Sequence, residues 1–351
     1  MIQTYDIHKS YAFNYERGPV FDGPPLQAPD GPMKSFLGRP VRSQLGIAAG
    51  LLLNGKWVAA YAQRGFDILT YKTVRSQYRP CYDPPNWVFI EEGEDPEGPV
   101  YATDHPPSQL SEVSSAVCFG MPSMAPEIWR ADVENAKRSL GSGQLLIVSV
   151  VASPEPGDDA DLVANDFRQC AEWAIEAGAD AVEANFSCPN VCSPEGNIYT
   201  DAKLSRRVAE AIRRGIGNAP LLIKAGYLPL EESLHALLRE LSGVANGITL
   251  VNGVTRPALR RNGQPVFGEQ YRSAGIVGRA IHLPSVEQVR RARRIIDEDR
   301  LPLELVAVGG AGGVGEISDF FEVGATAVLM GSSPMYQPHL AIQARLAYPD
   351  W

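Results

Sequence analysis

The sequence has few cysteines and histidines, and its basic residues are outnumbered by its acidic ones. Five cysteines at irregular spacing in 351 residues argue against a disulfide framework and favour reduced thiols in a cytoplasmic protein. The 32 Lys and Arg against 41 Asp and Glu leave a formal net charge of −9, which disfavours a nucleic acid as partner. No histidine follows a predicted strand, so we predict neither a histidine triad nor a metal site.

Long hydrophobic runs are also missing. The longest candidate, Leu45 to Val58, is interrupted by glycines, Asn54 and Lys56. It falls short of the roughly 20 apolar residues that a membrane helix needs. The first 18 residues lack the apolar segment of a signal peptide. We therefore expect no membrane as partner.

Short apolar runs recur along most of the chain. Residues 1–44 are rich in proline and glycine without periodicity, and they are predicted to form an arm packed on the domain that follows. From Leu45 onward, apolar runs alternate with amphipathic helical stretches. Unalternating apolar runs are typical of parallel strands buried on both faces. The runs are 45–49, 66–72, 145–151, 181–186, 220–225, 247–251, 303–308 and 325–330.

Eight such β–α units predict a single (β/α)8 TIM barrel over residues 45–351. A barrel needs about 250 residues, and the surplus falls in the arm, in 75–115 and in 253–280. The last two segments are predicted to be long excursions before strand 3 and after strand 6. An open, doubly wound sheet is the alternative architecture.

Polar and small residues follow the predicted strands, at the end where a barrel carries its active site. An ammonium at the end of a buried strand is costly unless it meets an anion or an electron-rich ring, so the lysines there are candidate ligand contacts. Structural ion pairs are the alternative. The polar residues are Lys72, Thr73, Ser149, Asn185, Lys224 and Asn252.

Glycine-rich turns follow strands 7 and 8, at Gly309 and Gly310 and at Gly331 and Ser332. Such turns let backbone N–H groups approach an anion, and a barrel's usual phosphate site lies there. The alternative is that these glycines only serve tight turns with positive φ.

Cys188 follows strand 4, between Ser187 and Pro189. A cysteine in a polar site that contains lysine can act as a base or nucleophile once its pKa is tuned. The alternative is a small buried apolar side chain. The CxxxC spacing to Cys192 has no second pair and predicts neither a metal ion nor an iron–sulfur cluster.

The segment NFSCPN, from Asn185 to Asn190, resembles the N-[LIF]-S-[CS]-P-N signature of the dihydroorotate dehydrogenase family. GIAAGLLLNG, LTYKT, IKAG, LVNG, AGIVG, AVGGAGG and LMGSS resemble further motifs of that family in the same order, from Gly46 to Tyr336. The resemblance implies an FMN-containing (β/α)8 flavoprotein of pyrimidine biosynthesis that oxidises a carbon–carbon single bond, converting dihydroorotate to orotate.

The resemblance also implies roles for individual residues. Cys188 would be the base that removes a proton beside the substrate carbonyl, while the adjacent carbon gives a hydride to flavin N5. Lys224 would face the N1/O2 side of the flavin and stabilise its reduced form. The residues implied to contact FMN are Ala48, Ala49, Gly50, Lys72, Thr73, Ser149, Asn185, Lys224, Gly278, Gly309, Gly310, Gly331 and Ser332. Those implied to contact the substrate are Lys72, Phe119, Gly120, Met121, Asn185, Asn190 and Asn252.

The chain departs from the family pattern in its substrate loop. Val117 and Ser123 stand where the family has asparagines, the first of which binds substrate. Either the substrate differs or another residue supplies the contact. One arginine of the loop after strand 6 could bind a carboxylate, although a solvated basic loop is the alternative. These arginines are Arg256, Arg260, Arg261 and Arg272.

Two further comparisons bear on the branch and the function. Cys188 is typical of the family's soluble branch, whose members are often homodimers, and Leu53 replaces a lysine found in the membrane-associated branch. The alternative functions are a relative acting on another dihydropyrimidine or enone, and a flavin-free phosphate-binding isomerase or lyase. The electron acceptor or partner subunit is left open.

Overall fold

The strands of the described residues belong to three sheets. The computed structural model describes residues 3–93, 95, 97–155, 157–187 and 197–351. The strands are β1 (Lys34–Phe36), β2 (Arg39–Val41), β3 (Leu45–Ile47), β4 (Ile68–Val74), β5 (Trp87–Glu92), β6 (Val100–Thr103), β7 (Ser114–Val117), β8 (Leu145–Val150), β9 (Ala181–Asn185), β10 (Leu221–Lys224), β11 (Gly247–Leu250), β12 (Val254–Leu259), β13 (Ser273–Gly278), β14 (Glu304–Ala307) and β15 (Ala327–Met330).

Eight parallel strands close into a barrel in the order β3, β4, β8, β9, β10, β11, β14, β15. The circle closes where β15 pairs with β3, with Met330 opposite Ile47. Seven of these strands lie within one of the eight apolar runs, and β4 overlaps its run and extends two residues past it. Strands covered on both faces need apolar side chains on both. The predicted (β/α)8 barrel is thus confirmed, and the open-sheet alternative is wrong.

The helices follow the barrel strands and cover the outside of the barrel. Their buried faces carry residues such as Val208 and Ile212, which pack on the strands. The helices are α1 (Tyr11–Arg17), α2 (Gly55–Ala62), α3 (Pro126–Arg138), α4 (Ala160–Glu176), α5 (Ala202–Ile216), α6 (Glu231–Leu241), α7 (His282–Glu298), α8 (Val314–Glu322), α9 (Ser333–Tyr336) and α10 (Leu340–Ala347). Within the described ranges, none of them is long and apolar enough to cross a membrane.

The β1–β2 hairpin closes the N-terminal end of the barrel. Phe36 and Val41 are fully buried and belong to the same apolar cluster as the barrel-lining Ile147 and Leu222. The Leu37 N–H donates a hydrogen bond of 2.9 Å to a carboxylate oxygen of Glu304. Because this end is filled, a ligand can enter only from the opposite end, at the carboxyl termini of the strands.

The two predicted excursions form a second, smaller barrel in the order β12, β13, β7, β5, β6. Here β7 pairs antiparallel with β13, which sets Val117 opposite Gly275. Ile90, Ala116 and Ile276 contribute to its own buried core. This small barrel stands at the mouth of the large one and contributes a wall of the site.

The N-terminal arm is anchored to α2. Its helix α1 begins after Ser10, whose hydroxyl accepts a hydrogen bond of 3.1 Å from the Phe13 N–H. The indole N–H of Trp57 donates to the Asn14 carbonyl at 3.2 Å, and the Asn54 side-chain amide donates to the Tyr15 carbonyl at 2.7 Å. These contacts fix one face of α1 against the barrel and leave Tyr11 facing the active-site end.

Candidate active site

A cavity of about 180 Å³ lies at the carboxyl ends of the barrel strands. Polar side chains from β4, β9 and β10 and from the turns after β11 and β15 reach it, while the small barrel and the arm provide apolar walls. Many of the residues implicated by sequence line this cavity. They are Ala48, Ala49, Gly50, Leu53, Lys72, Thr73, Val117, Phe119, Met121, Asn185, Lys224, Asn252, Gly331 and Ser332.

The amide side chains of the cavity are held in a hydrogen-bonded row. The Asn252 side-chain amide donates to the Asn185 side-chain oxygen at 3.5 Å and also to the Ser187 carbonyl. Asn185 in turn donates to the Thr73 hydroxyl at 3.4 Å. Fixed amides present a preset pattern of donors and acceptors to a ligand with amide edges.

Ser149 supports this row from below. Its hydroxyl lies 3.0 Å from that of Thr73, and the residue is fully buried. Ser149 is absent from the described linings of the site. The structure therefore gives Ser149 the position of a support for Thr73 and not of a residue lining the cavity.

Lys224 lies at the centre of the barrel with a carboxylate beneath it. Its Nζ is 4.0 Å from Oε1 of Glu183 on the neighbouring strand, and both side chains are almost completely buried. Within the described residues, neither carboxylate oxygen of Glu183 has a hydrogen-bond partner. The low dielectric of the interior strengthens the attraction between such charges. The barrel centre thus carries an ion pair whose positive end faces the cavity.

A second, smaller cavity of about 40 Å³ continues from the first and shares Asn252, Gly331 and Ser332 with it. The Ser333 hydroxyl donates to the Ala311 carbonyl at 2.6 Å and ties together the turns after β14 and β15. We call this space the glycine cradle. Its glycines are Gly278, Gly309, Gly310, Gly312 and Gly331.

Two glycines of the cradle serve different purposes. Gly310 has a φ of +81°, and a Cβ there would lie 2.7 Å from the Gly278 carbonyl oxygen, so the turn itself requires glycine. At Gly331 no positive φ is needed, and a Cβ would meet no described atom within 4 Å. The space in front of Gly331 is open, as a phosphate-sized anion at backbone N–H groups requires.

Several aromatic residues that were not predicted from the sequence also line the cavity. Tyr5 and Tyr11 from the arm and Trp87 from the small barrel surround Phe119, with ring centroids 6.3, 6.4 and 6.4 Å from its own. Edge-to-face contacts of this kind are favourable. A proline- and glycine-rich arm gives no sequence signal that two of its tyrosines reach the site.

The substrate loop after β7 has an unusual backbone. Gly120 and Met121 adopt positive φ values of +73° and +50°. A Cβ at Gly120 would lie 2.5 Å from the Tyr82 ring, and Gly120 itself is absent from the described cavity lining. The Met121 carbonyl accepts a hydrogen bond of 3.2 Å from Arg75. These contacts therefore hold the loop in a single backbone conformation.

The two departures from the family pattern have different positions. Val117 lines the cavity with an apolar side chain. Ser123 is absent from the described lining, and its hydroxyl accepts from the Arg75 N–H at 3.0 Å and donates to the Met124 carbonyl at 2.9 Å. Only the first departure changes what a ligand meets.

The arginines of the loop after strand 6 are directed elsewhere. Arg256 pairs with Glu92 at 3.0 Å and Arg261 pairs with Glu91, both within the small barrel. Among the described lining residues of either cavity, none of the four candidate arginines occurs. The hypothesis that one of them binds a carboxylate in this cavity is not supported by the geometry.

Cys188 and Asn190 lie outside the described residues, so their predicted roles stay predictions. Among the described cysteines, Cys81 interacts electrostatically with Lys72 of the cavity lining. Burial raises the pKa of Cys81 to about 11, although Lys72 opposes the shift. A thiol with this pKa stays protonated at neutral pH and is poorly suited to act as a base.

The barrel is filled at one end, and at the other end the glycine cradle lies beside a cavity lined by lysine and amide groups. This is the architecture of barrel enzymes that bind a phosphate-bearing ligand.

The family profile described as dihydroorotate dehydrogenase matches residues 119–344. The dihydroorotate dehydrogenase of Dictyostelium discoideum is 30% identical over 97% of this chain and 95% of its own length. The catalytic subunit of dihydroorotate dehydrogenase B (NAD(+)) of Methanocella arvoryzae is 25% identical, over 82% and 81% of the two chains.

One further relative and one solved structure also resemble this chain. Dihydroorotate dehydrogenase A (fumarate) of Limosilactobacillus reuteri is 25% identical, over 48% of this chain and 52% of that protein. The crystal structure of the Eimeria tenella dihydroorotate dehydrogenase in complex with ferulenol has a TM-score of 0.69 at 15% identity, covering 89% and 82% of the chains, which shows the fold. The chain belongs to the dihydroorotate dehydrogenase family and is an oxidoreductase.

Proposed function

We propose that the protein binds FMN and oxidises dihydroorotate to orotate. The observation that carries this proposal is the continuity of the two cavities. One space joins the glycine cradle to the fixed amides Asn185 and Asn252 and to the buried Lys224. A phosphate-bearing cofactor and a polar ring can therefore occupy the site side by side.

The residues present fit FMN. The open space at Gly331 and the turn at Gly309 and Gly310 would hold its phosphate. Lys224, supported by Glu183, would hold positive charge against the electron-rich edge of the ring. FMN, when bound, supplies the acceptor for the hydride. The small residues Ala48, Ala49 and Gly50 would leave room for a flat ring.

The chain's own residues would orient the substrate and take its proton. Asn185 and Asn252 would bond the amide edges of a dihydropyrimidine, since each amide offers both a donor and an acceptor. Lys72 would attract the substrate's negative charge. Cys188 would accept the proton from the carbon beside the carbonyl, as its place after β9 and the family motif indicate.

Val117 is the observation that favours a second candidate, a relative acting on a different dihydropyrimidine. A flavin-free isomerase or lyase has no such support once the family is known. Three described cysteines are free thiols, which suits a cytoplasmic enzyme. Fumarate and NAD(+), the acceptors named for two relatives, are the first to test here.

The test is direct. We expect the purified protein to release one FMN per chain on denaturation, and to form orotate from dihydroorotate with an artificial dye as acceptor. Dihydrouracil serves as the competing substrate. Orotate formation from dihydroorotate alone supports the first candidate, whereas turnover of dihydrouracil alone supports the second. A colourless protein would overturn both.

A further inference from the structure

The cavity contains a hydroxyl group that the proposed function does not yet use. Tyr11 lines the cavity together with Lys72 and Phe119. Its ring packs edge-on against Phe119 with centroids 6.4 Å apart. Among the described residues, no hydrogen bond involves the Tyr11 hydroxyl. A phenol in a partly apolar wall without a protein partner is available to a ligand.

The amide and threonine side chains of the cavity are already hydrogen-bonded within the protein. Asn252 donates to Asn185 and to the Ser187 carbonyl, and Thr73 is bonded to Ser149. Dihydroorotate carries a carboxylate in addition to its amide edges. A carboxylate taken out of water needs several donors besides a cation, and Val117 offers none. A donor near Lys72 is therefore required from another element.

The arm holds Tyr11 in a fixed position. Behind it, Trp57 and Asn54 donate hydrogen bonds to the backbone carbonyls of Asn14 and Tyr15 in the same helix. Cys81 interacts electrostatically with Lys72 and with Tyr11, so the phenol and the ammonium belong to one neighbourhood. Desolvation raises the pKa of Tyr11 well above its usual value, so the hydroxyl keeps its proton.

We propose that the Tyr11 hydroxyl donates a hydrogen bond to the substrate carboxylate and, together with Lys72, selects substrates that carry this group. This inference rests on the proposed function, because it assigns one contact to the same substrate. It makes α1 of the arm a part of the binding site. It also explains how a cavity with Val117 in its wall can still hold an acidic dihydropyrimidine.

The test compares two ligands in the FMN-loaded protein. Orotate carries the carboxylate, and uracil is the same ring without it. Dissociation constants of both follow from the change that each ligand causes in the visible flavin spectrum. For Tyr11→Phe we expect orotate to bind about 10- to 100-fold more weakly, as the loss of one hydrogen bond to a charged group implies. Uracil should bind as in the wild type.

Turnover gives a second readout. Tyr11→Phe should raise KM for dihydroorotate by a similar factor and leave kcat within about twofold, since the hydroxyl holds a part of the substrate that does not react. Tyr11→His, which restores a donor, should recover part of the orotate affinity. Tyr15→Phe is the matched control, because Tyr15 lies on the same helix, packs its ring at a tilt against that of Tyr11 with centroids 6.1 Å apart, and is absent from the described cavity lining.

Each outcome is decisive. Equal orotate affinity in Tyr11→Phe and wild type would overturn this inference, and so would an equal loss of orotate and uracil, which would indicate packing alone. A wild-type protein that retains FMN but neither binds orotate nor oxidises dihydroorotate would overturn the proposed function itself. The first two results require an active wild type, so the two failures are distinguishable.

Discussion

Gly331→Ala is the substitution that tests the glycine cradle with the least disturbance of the protein. Gly331 lies in the turn after β15 and lines both cavities. Gly331 is exposed and a Cβ there would meet no described atom within 4 Å, so the new methyl group lies in open space at the cradle lining rather than in the protein core. The apoprotein should therefore fold and melt as the wild type does.

The expected loss of FMN affinity follows from the position of Gly331 in the lining of the cradle. A methyl group added there would occupy space beside the backbone N–H groups that a phosphate would use. A phosphate seated there would have to move away from the backbone N–H groups. Overpacking of a tight site costs about 1–3 kcal/mol. This corresponds to roughly 5- to 150-fold weaker binding.

The assay is titration of apoprotein with FMN, followed by the change in flavin fluorescence. Gly315→Ala is the matched control, because a Cβ at this exposed position on α8 also meets no described atom within 4 Å, while Gly315 is absent from the described cradle lining. The control should retain full affinity. Equal FMN affinity in Gly331→Ala and Gly315→Ala would refute the assignment of the cradle to the phosphate.

Three further substitutions test the proposed base, the ion pair at the barrel centre and the buried carboxyl group at the N-terminal end of the barrel. Cys188→Ala should keep FMN bound and slow flavin reduction by dihydroorotate about 10²–10⁴-fold in anaerobic stopped-flow; an unchanged rate would exclude its role as base. Glu183→Gln removes the negative charge 4.0 Å from Lys224. The bound flavin should therefore become easier to reduce and should bind sulfite several-fold more tightly. An unaltered sulfite affinity would show that the Lys224–Glu183 pair does not act on the cofactor. Burial raises the pKa of Glu304. A raised pKa in the folded state stabilises the protein below the ordinary glutamate pKa, and this contribution is lost as the pH rises through the folded-state value. Glu304→Gln should therefore show a shallower fall in melting temperature from acidic to neutral pH, and a fall as steep as that of wild type would contradict the assignment.

The large barrel could be predicted because its signal is local. Runs such as 145–151 and 220–225 are apolar except for Ser149 and Lys224, and a strand buried on both faces leaves that pattern whatever its partners are. The turn after β14 could be predicted for a similar reason, since positive φ at Gly310 leaves a glycine in the sequence.

The small barrel could not be predicted in this way. Its strands β7 and β13 are separated by more than 150 residues, and their pairing sets Val117 opposite Gly275. Short antiparallel strands with mixed side chains carry little local signal, so the segments read only as excursions. The same holds for Tyr11, whose place in the cavity depends on how α1 docks on α2.

Ser149 shows the limit of reasoning from strand ends. Its position near the end of a barrel strand predicts a contact with the cofactor, and the structure shows it fully buried. Whether such a side chain meets the ligand depends on what lies above it. Thr73 covers Ser149 at 3.0 Å, a detail that depends on the pairing between neighbouring strands.

The central claim is that this site oxidises dihydroorotate and that bound FMN is reduced in the same step. The most direct measurement is anaerobic addition of one equivalent of dihydroorotate to the purified yellow protein, with the visible flavin absorption recorded over time. We predict rapid bleaching, with one orotate formed for each flavin reduced. A protein that retains its FMN and stays yellow in excess dihydroorotate would contradict the account.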